Sequence, residues 1–200
     1  MISSAQIGMI AYYEAKVLRR NFLFWILSFL SIGTITWYQI TEQSYFSNNT
    51  SWDLISLPSA MPLVNAYLFN IFQAFMLVFI IANLFRRGIK VDTLQVILTR
   101  PFSNKNYIIG KSIGTCLVFI QLNLLSLFIA FFINLFASNA PLNPLLYIFY
   151  FFTLTMPSLI FLTGFSLWVI YGIKNYFLGL FLLLLFLLLR FLFSVSHRSP

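Results

Sequence analysis

About five long apolar runs dominate these 200 residues, each close to the ~20 residues that a helix needs to cross a bilayer core. They lie at about 22–39, 62–85, 113–136, 145–171 and 176–193. A backbone immersed in hydrocarbon must satisfy its own polar groups, and a helix does so within one segment. The expected fold is therefore an all-α integral membrane protein of about five transmembrane helices in one transmembrane domain. Composition removes the soluble alternative. Only 8% of residues are charged, against roughly 25% in a soluble domain.

Charge placement orients the chain. Lys and Arg number 12 and Asp and Glu 4, a net charge of +8. A nucleic-acid binder would stud a soluble face with such bases. Here they fall between the apolar runs, where cytoplasmic loops carry them. Lys16, Arg19 and Arg20 precede the first run, Arg86, Arg87, Lys90, Arg100, Lys105 and Lys111 fill the second connection, and Lys174 sits in the fourth. The first and third connections have no base. This predicts a cytoplasmic N-terminus and a cytoplasmic 86–112 loop, and an odd span count puts the C-terminus outside. Arg190 and Arg198 then run against the charge rule. The first run follows about 20 residues that include Glu14 and lacks a small-residue cleavage site, so it reads as a retained span. Cys116 is the sole cysteine, which excludes an intrachain disulfide.

Residues 1–20 carry Ile7, Ile10, Tyr13 and Val17 at helical spacing beside Glu14, Lys16, Arg19 and Arg20. This pattern predicts an interfacial helix in the headgroup layer, its bases near anionic membrane lipid. Trp37 and Tyr38 close the first span, and 41–60 is a polar outer stretch. Residues 137–144 hold two prolines and no charge, the pattern of a tight turn. Pro157 and Gly164 interrupt the fourth span.

Catalytic groups do not converge within the spans. His197, the only histidine, is in the tail, and all four acids lie outside the apolar runs. A His metal site, a catalytic triad and a paired-carboxylate site are thereby disfavoured, and the chain is not expected to be an enzyme. Ser126, Ser158 and Ser166 are expected to bond back to their own helices. Gly110-Lys111-Ser112 imitates the end of a phosphate-binding loop. However, Lys105 stands where that loop needs glycine, and no strand precedes it. Within the spans, Asn70 and Gln73 share one face and Asn123 and Asn134 another. The plain reading is interhelical hydrogen bonding at about 0.6 kcal/mol each. The sharper reading is a weakly polar lining for a transport path.

The second connection is the most informative. Val91, Leu94, Ile97 and Leu98 give 90–101 one apolar helical face, Asp92 or Thr93 can cap its start, and Pro101 stops it. Ser103 can cap a following helix that runs through Tyr107, Gly110 and Lys111 into the third span. Such a short amphipathic helix can dock in a partner's groove or rest on lipid.

The residues Asp92-Thr93-Leu94-Gln95-Val96, Arg100-Pro101-Phe102-Ser103-Asn104, Tyr107 and Gly110-Lys111 resemble the cytoplasmic loop of ABC-2 type transporter permeases, in a Bacteroidetes-like variety. Glu14, Arg19 and Arg20 resemble the family's interfacial helix before the first span. The resemblance implies a permease subunit of an ABC exporter in the bacterial cytoplasmic membrane, forming the translocation pathway with a second permease half. It also implies a coupling helix in the loop, seated on a separate ABC ATPase subunit. ATP and magnesium then belong to that partner, with no cofactor on this chain. Arg86, Arg87, Lys90, Asp92, Leu94, Arg100 and Lys105 become the candidate ATPase-coupling surface, and Asn70, Gln73, Asn123 and Asn134 the pathway candidates. The family usually has six spans. The expectation is that the native gene continues past Pro200 or that a companion chain supplies the sixth. The alternative is a non-transporting assembly or anchoring subunit of the membrane.

Overall fold

The computed structural model describes residues 4–47, 60–88, 104–136 and 142–172, with 181, 182 and 185. Every described residue is helical except Arg20, Asn21, Leu142 and Asn143. The elements are α1 (Ser4–Arg19), α2 (Phe22–Ser47), α3 (Ala60–Gly88), α4 (Asn104–Phe136), α5 (Pro144–Tyr150), a π-helical segment (Phe151–Thr155) and α6 (Met156–Gly172). Four passages, Phe22–Thr41, Ala60–Asn83, Lys105–Phe136 and Pro144–Ile170, are long and apolar enough to cross a membrane. Of the expected fifth span, 176–193, only Phe181, Leu182 and Leu185 are described, and these are helical.

Local chemistry sets the helix boundaries. Asn21 breaks the chain between α1 and α2, and its Oδ1 accepts from the Leu23 amide at 3.2 Å as an N-cap. The indole Nε1 of Trp25 donates to the Arg19 carbonyl at 2.7 Å, satisfying an orphan group at the end of α1. Asn143 caps α5 through the Leu145 amide at 3.1 Å, with Pro144 at the first helical position. α2 does not stop near residue 39 but continues to Ser47. No Gly or Pro stands between Gly33 and Pro58, so nothing ends the helix where its apolar run ends. Gly164 sits in regular helix facing open space. Pro157, by contrast, closely follows the widened π turn. Proline lacks an N–H and its ring crowds the carbonyl four residues earlier, and a wider turn relieves that crowding.

The helices alternate in direction. Ser31 Oγ lies 3.3 Å from Met76 Sδ, while Gln39 Nε2 donates to Asn65 Oδ1 at 3.1 Å, so α2 and α3 are antiparallel. Cys116 Sγ lies 3.4 Å from Thr163 Oγ1, while Asn134 Nδ2 donates to Tyr147 Oη at 2.9 Å, so α4 and the α5–α6 passage are antiparallel. α3 is central: 56% of its apolar window is buried inside the protein, against 28% for α2 and for the α5–α6 passage. Phe69, Met76, Leu77 and Ile80 of α3 meet Val118, Phe119 and Leu122 of α4 and Leu159 and Ile170 of α6 in one core. Outward-facing Phe22 (77% exposed), Phe29, Phe136 (82%) and Trp168 form an apolar exterior that water would penalise and lipid accepts.

Candidate functional site

Polar side chains gather in two places: an amide seam among the spans, and a contact between α1 and the basic end of α4.

The seam follows a helical stripe. Phe119, Asn123, Ser126, Ala130 and Asn134 recur every three or four residues along one side of α4, and all are buried. Asn123 Nδ2 donates to Gln73 Oε1 at 2.6 Å and to its own helix at the Phe119 carbonyl at 2.7 Å. Asn65 Oδ1 accepts from both Gln39 Nε2, at 3.1 Å, and Ser126 Oγ, at 3.2 Å. Ser126 therefore reaches across to α3 rather than back along its own helix, because a buried acceptor stands within its reach there. Ser28, Ser31, Thr34 and Thr41 of α2 do bond back to carbonyls four residues earlier.

The four pathway candidates do not converge on one point. Gln73, fully buried, pairs with Asn123. Asn134 pairs with Tyr147 farther along, and Asn70 is half-buried with no hydrogen bond to its Oδ1. Gln73 Nε2 and Asn134 Oδ1 are also buried without partners. A small cleft of about 10 Å³ opens between α3, α4 and the π segment, lined by Asn65, Asn123, Tyr147, Tyr150, Phe151 and Thr155. That space is on the scale of one water molecule. Gln39, Asn65 and Thr155 join the seam without any signal in the sequence, whereas Ser126 falls on the stripe that links Asn123 to Asn134.

The strength of this seam is open to measurement. Interhelical hydrogen bonds in membranes average about 0.6 kcal/mol and reach about 1.7. A double-mutant cycle of Gln73→Leu and Asn123→Leu, read by unfolding in detergent, should give a coupling energy in that range. A coupling near zero would mean that the 2.6 Å pair does not hold α3 to α4.

At the other end, α1 runs alongside α4 in the same direction. Successive contacts are Asn106 Nδ2 donating to Gln6 Oε1 at 3.3 Å, Lys111 Nζ to Glu14 Oε1 at 4.0 Å, and Arg19 Nη2 donating to Gln121 Oε1 at 2.6 Å. Phe24 of α2 meets Phe119 of α4, with ring centroids 6.0 Å apart. The first turns of α4 thus project past the start of α2 by roughly 20 Å, and α1 covers them. Small residues permit the approach. A Cβ on Gly114 would stand 2.6 Å from the Ala11 carbonyl oxygen, and one on Gly110 would stand 2.8 Å from Ile10 Cβ. Gly110 and Gly114 form a G-x-x-x-G pair, with Gly110 against Ile7 and Ile10 and Gly114 against Ala11 and Glu14 of α1. That spacing is legible in the sequence, where the phosphate-loop imitation at 110–112 competes with it for attention. In the structure Gly110, Lys111 and Ser112 simply continue a helix. The side of α1 that packs on protein is Ala11, Glu14, Ala15 and Leu18, while Tyr13 and Val17 point outward.

Glu14 is set in this contact with Oε1 lacking a hydrogen bond, and Lys111 also lies over the Tyr107 ring at 5.3 Å. Burial pushes the Glu14 carboxyl above its ordinary value of 4.5, and the Lys111 ammonium draws it back only in part. Protonation therefore favours the seated helix. That contribution is complete below about pH 4.5 and is lost as pH climbs through the raised value. The melting temperature should fall over this window in the native chain and fall less in Glu14→Gln. Equal declines would assign the pH dependence to other groups.

Of the coupling candidates, Lys105 is exposed in the first turn of α4, and Arg86 and Arg87 belong to the last turn of α3 at the same end of the bundle. Lys90, Asp92, Leu94 and Arg100, with the Ser103 cap, lie outside the described residues.

The sequence profile of ABC-2 family transporter proteins matches residues 11–190, which takes in α1 beyond its first turns, every described span and the residues between α3 and α4. The chain belongs to the ABC-2 transporter family. No curated protein matches it in a sequence search. The match concerns the family and carries no information on the bacterial group. As an ABC-2 family protein, the chain is a multi-pass membrane component of an ABC transporter, a class that works in general with an ABC ATPase. The described helices account for the membrane part of that assignment.

Proposed function

We propose that this chain is the permease subunit of an ABC exporter in the bacterial cytoplasmic membrane, with its N-terminus in the cytoplasm. It forms the translocation pathway with a second permease half and hydrolyses nothing itself. A separate ATPase subunit carries ATP and magnesium and seats on the 86–112 loop. The observation that carries this reading is the family match over 11–190 on a bundle of apolar, membrane-length helices. Two further features support it. The buried amides offer uncharged hydrogen-bonding groups within the spans. The bases of α3 and α4 flank the loop at one end, where the positive-inside rule puts the cytoplasm.

The test is reconstitution. Copurified with its ATPase, the chain should alter the partner's ATP turnover in proteoliposomes. An ATPase that neither copurifies nor changes rate would leave the assembly or anchoring reading in its place. Orientation is tested separately by labelling Lys105→Cys in a Cys116→Ser background. Labelling from the periplasmic face alone would invert the topology.

A further inference from the structure

We propose that the corner between α1 and α2 binds the headgroup of an anionic phospholipid. Lys16, Arg19 and Arg20 are all exposed there, and their spacing of three and four residues sets them on one side of the chain. Among the described residues the one ion pair is Glu14 with Lys111, so no described acid neutralises the three bases. Orientation-setting charge requires no fixed geometry, but Arg19 has one. Its Nη2 is held at 2.6 Å by Gln121 of α4, which leaves most of the guanidinium's five donors free at a defined position. Two hydrogen bonds brace the corner: Trp25 Nε1 donates to the Arg19 carbonyl, and Asn21 caps α2.

The partner's chemistry follows from what lies next to the bases. α2 enters its apolar span at Phe22, so the corner stands at headgroup level. Directly beyond it Phe22, Trp25 and Phe29 are exposed, the last two with ring centroids 5.8 Å apart. On the other side, Tyr12, Tyr13 and Val17 of α1 also face outward. A basic cluster bordered by outward aromatic rings fits a phosphate with acyl chains attached, and fits a soluble anion poorly. This inference needs only that the chain spans a membrane, and it stands apart from the transport reading.

The full chain is placed in nanodiscs of equal parts phosphatidylcholine and phosphatidylglycerol, and the lipid retained after mild extraction is quantified by mass spectrometry. The native chain should retain phosphatidylglycerol preferentially. Near a membrane surface each base favours anionic lipid by about fivefold, so Lys16→Gln with Arg20→Gln should cut the enrichment by roughly 25-fold. Unchanged enrichment in that double variant overturns the proposal. So does displacement by inorganic phosphate beyond that caused by sodium chloride at equal ionic strength, which would mark a soluble-anion site. Loss of ATPase copurification with enrichment intact would make the corner a protein-docking surface and overturn it equally. If the double variant fails to insert, Lys16→Arg with Arg20→Lys must keep the enrichment, and rising salt must erode it. Failure of either overturns the proposal.

Discussion

Gly114→Leu should release α1 from α4. The first atom of the new side chain would meet the Ala11 backbone carbonyl oxygen at 2.6 Å and Glu14 Cβ at 2.8 Å, and a backbone carbonyl cannot swing aside as a side chain can. Overpacking costs typically 1–3 kcal/mol. With backbone as the obstacle we expect about 3 kcal/mol, a shift of more than 100-fold in the docking equilibrium. The readout is a short thiol-reactive crosslinker between Gln6→Cys and Asn106→Cys in a Cys116→Ser background, where the native side chains meet at 3.3 Å. Crosslinking should be efficient when Gly114 is kept and largely lost in Gly114→Leu. Gly164→Leu is the control, because nothing lies within 4 Å of a Cβ at that site. Equal crosslinking in all three proteins would show that the close approach at Gly114 does not seat α1.

The second large effect is expected at Leu94, on the proposed ATPase contact. By sequence spacing, a helix over 90–101 would set Leu94 at the centre of an apolar face with Val91, Ile97 and Leu98. Removing a buried central anchor often costs about 2 kcal/mol or more, whereas charges at the rim cost little. Leu94→Asp should therefore lose ATPase association by at least roughly 30-fold while membrane insertion persists. Lys105→Ala, at an exposed position, should weaken association slightly, and more at low salt than at high. The measurement is an ATPase pull-down with membrane levels checked in parallel. Normal insertion with full ATPase retention in Leu94→Asp would move the coupling element elsewhere and favour a helix resting on lipid.

Much of the bundle is legible in the sequence because hydropathy reads transfer free energy directly. The expected spans 62–85, 113–136 and 145–171 fall within α3, α4 and the α5–α6 passage. The helix running through Tyr107, Gly110 and Lys111 into the third span is legible too, since no proline interrupts it and isolated glycines are tolerated. Hydropathy says less about where a helix stops, which is why α2 outruns its apolar run to Ser47. It says least about facing. The periodicity of Ile7, Ile10, Tyr13 and Val17 indicates a helix but only half of its buried side: Ile7 and Ile10 lie against Gly110, whereas Tyr13 and Val17 face outward and burial passes to Ala11, Ala15 and Leu18. Asn123 and Asn134 do share a face, as their spacing predicts. Their partners Gln73 and Tyr147 lie on other helices, and no spacing within one helix reveals a match across two.

The π segment carries a consequence for length changes in this part of the chain. Tyr147, Phe151, Thr155 and Leu159 are all buried, each four residues after the last. In an ordinary α-helix every such step advances the side chain by about 40°, and three steps would carry Leu159 about a third of a turn away from Tyr147. The wide turn takes up nearly one residue's worth of rotation and keeps the two ends in phase. The segment therefore stores one residue more than a plain helix would need. Deleting that residue between 151 and 155 would leave Leu159 still within about 20° of Tyr147, in a helix bent where Pro157 then crowds the carbonyl four residues before it. The same deletion in the middle of α3 or α4 would instead turn everything beyond it by about 100° and carry half of a core stripe out to lipid. Straightening the π turn without a deletion would do the same to α6, swinging Leu159 and Leu162 off the core. Among the described helices, this is where the chain can lose a residue and keep its facing.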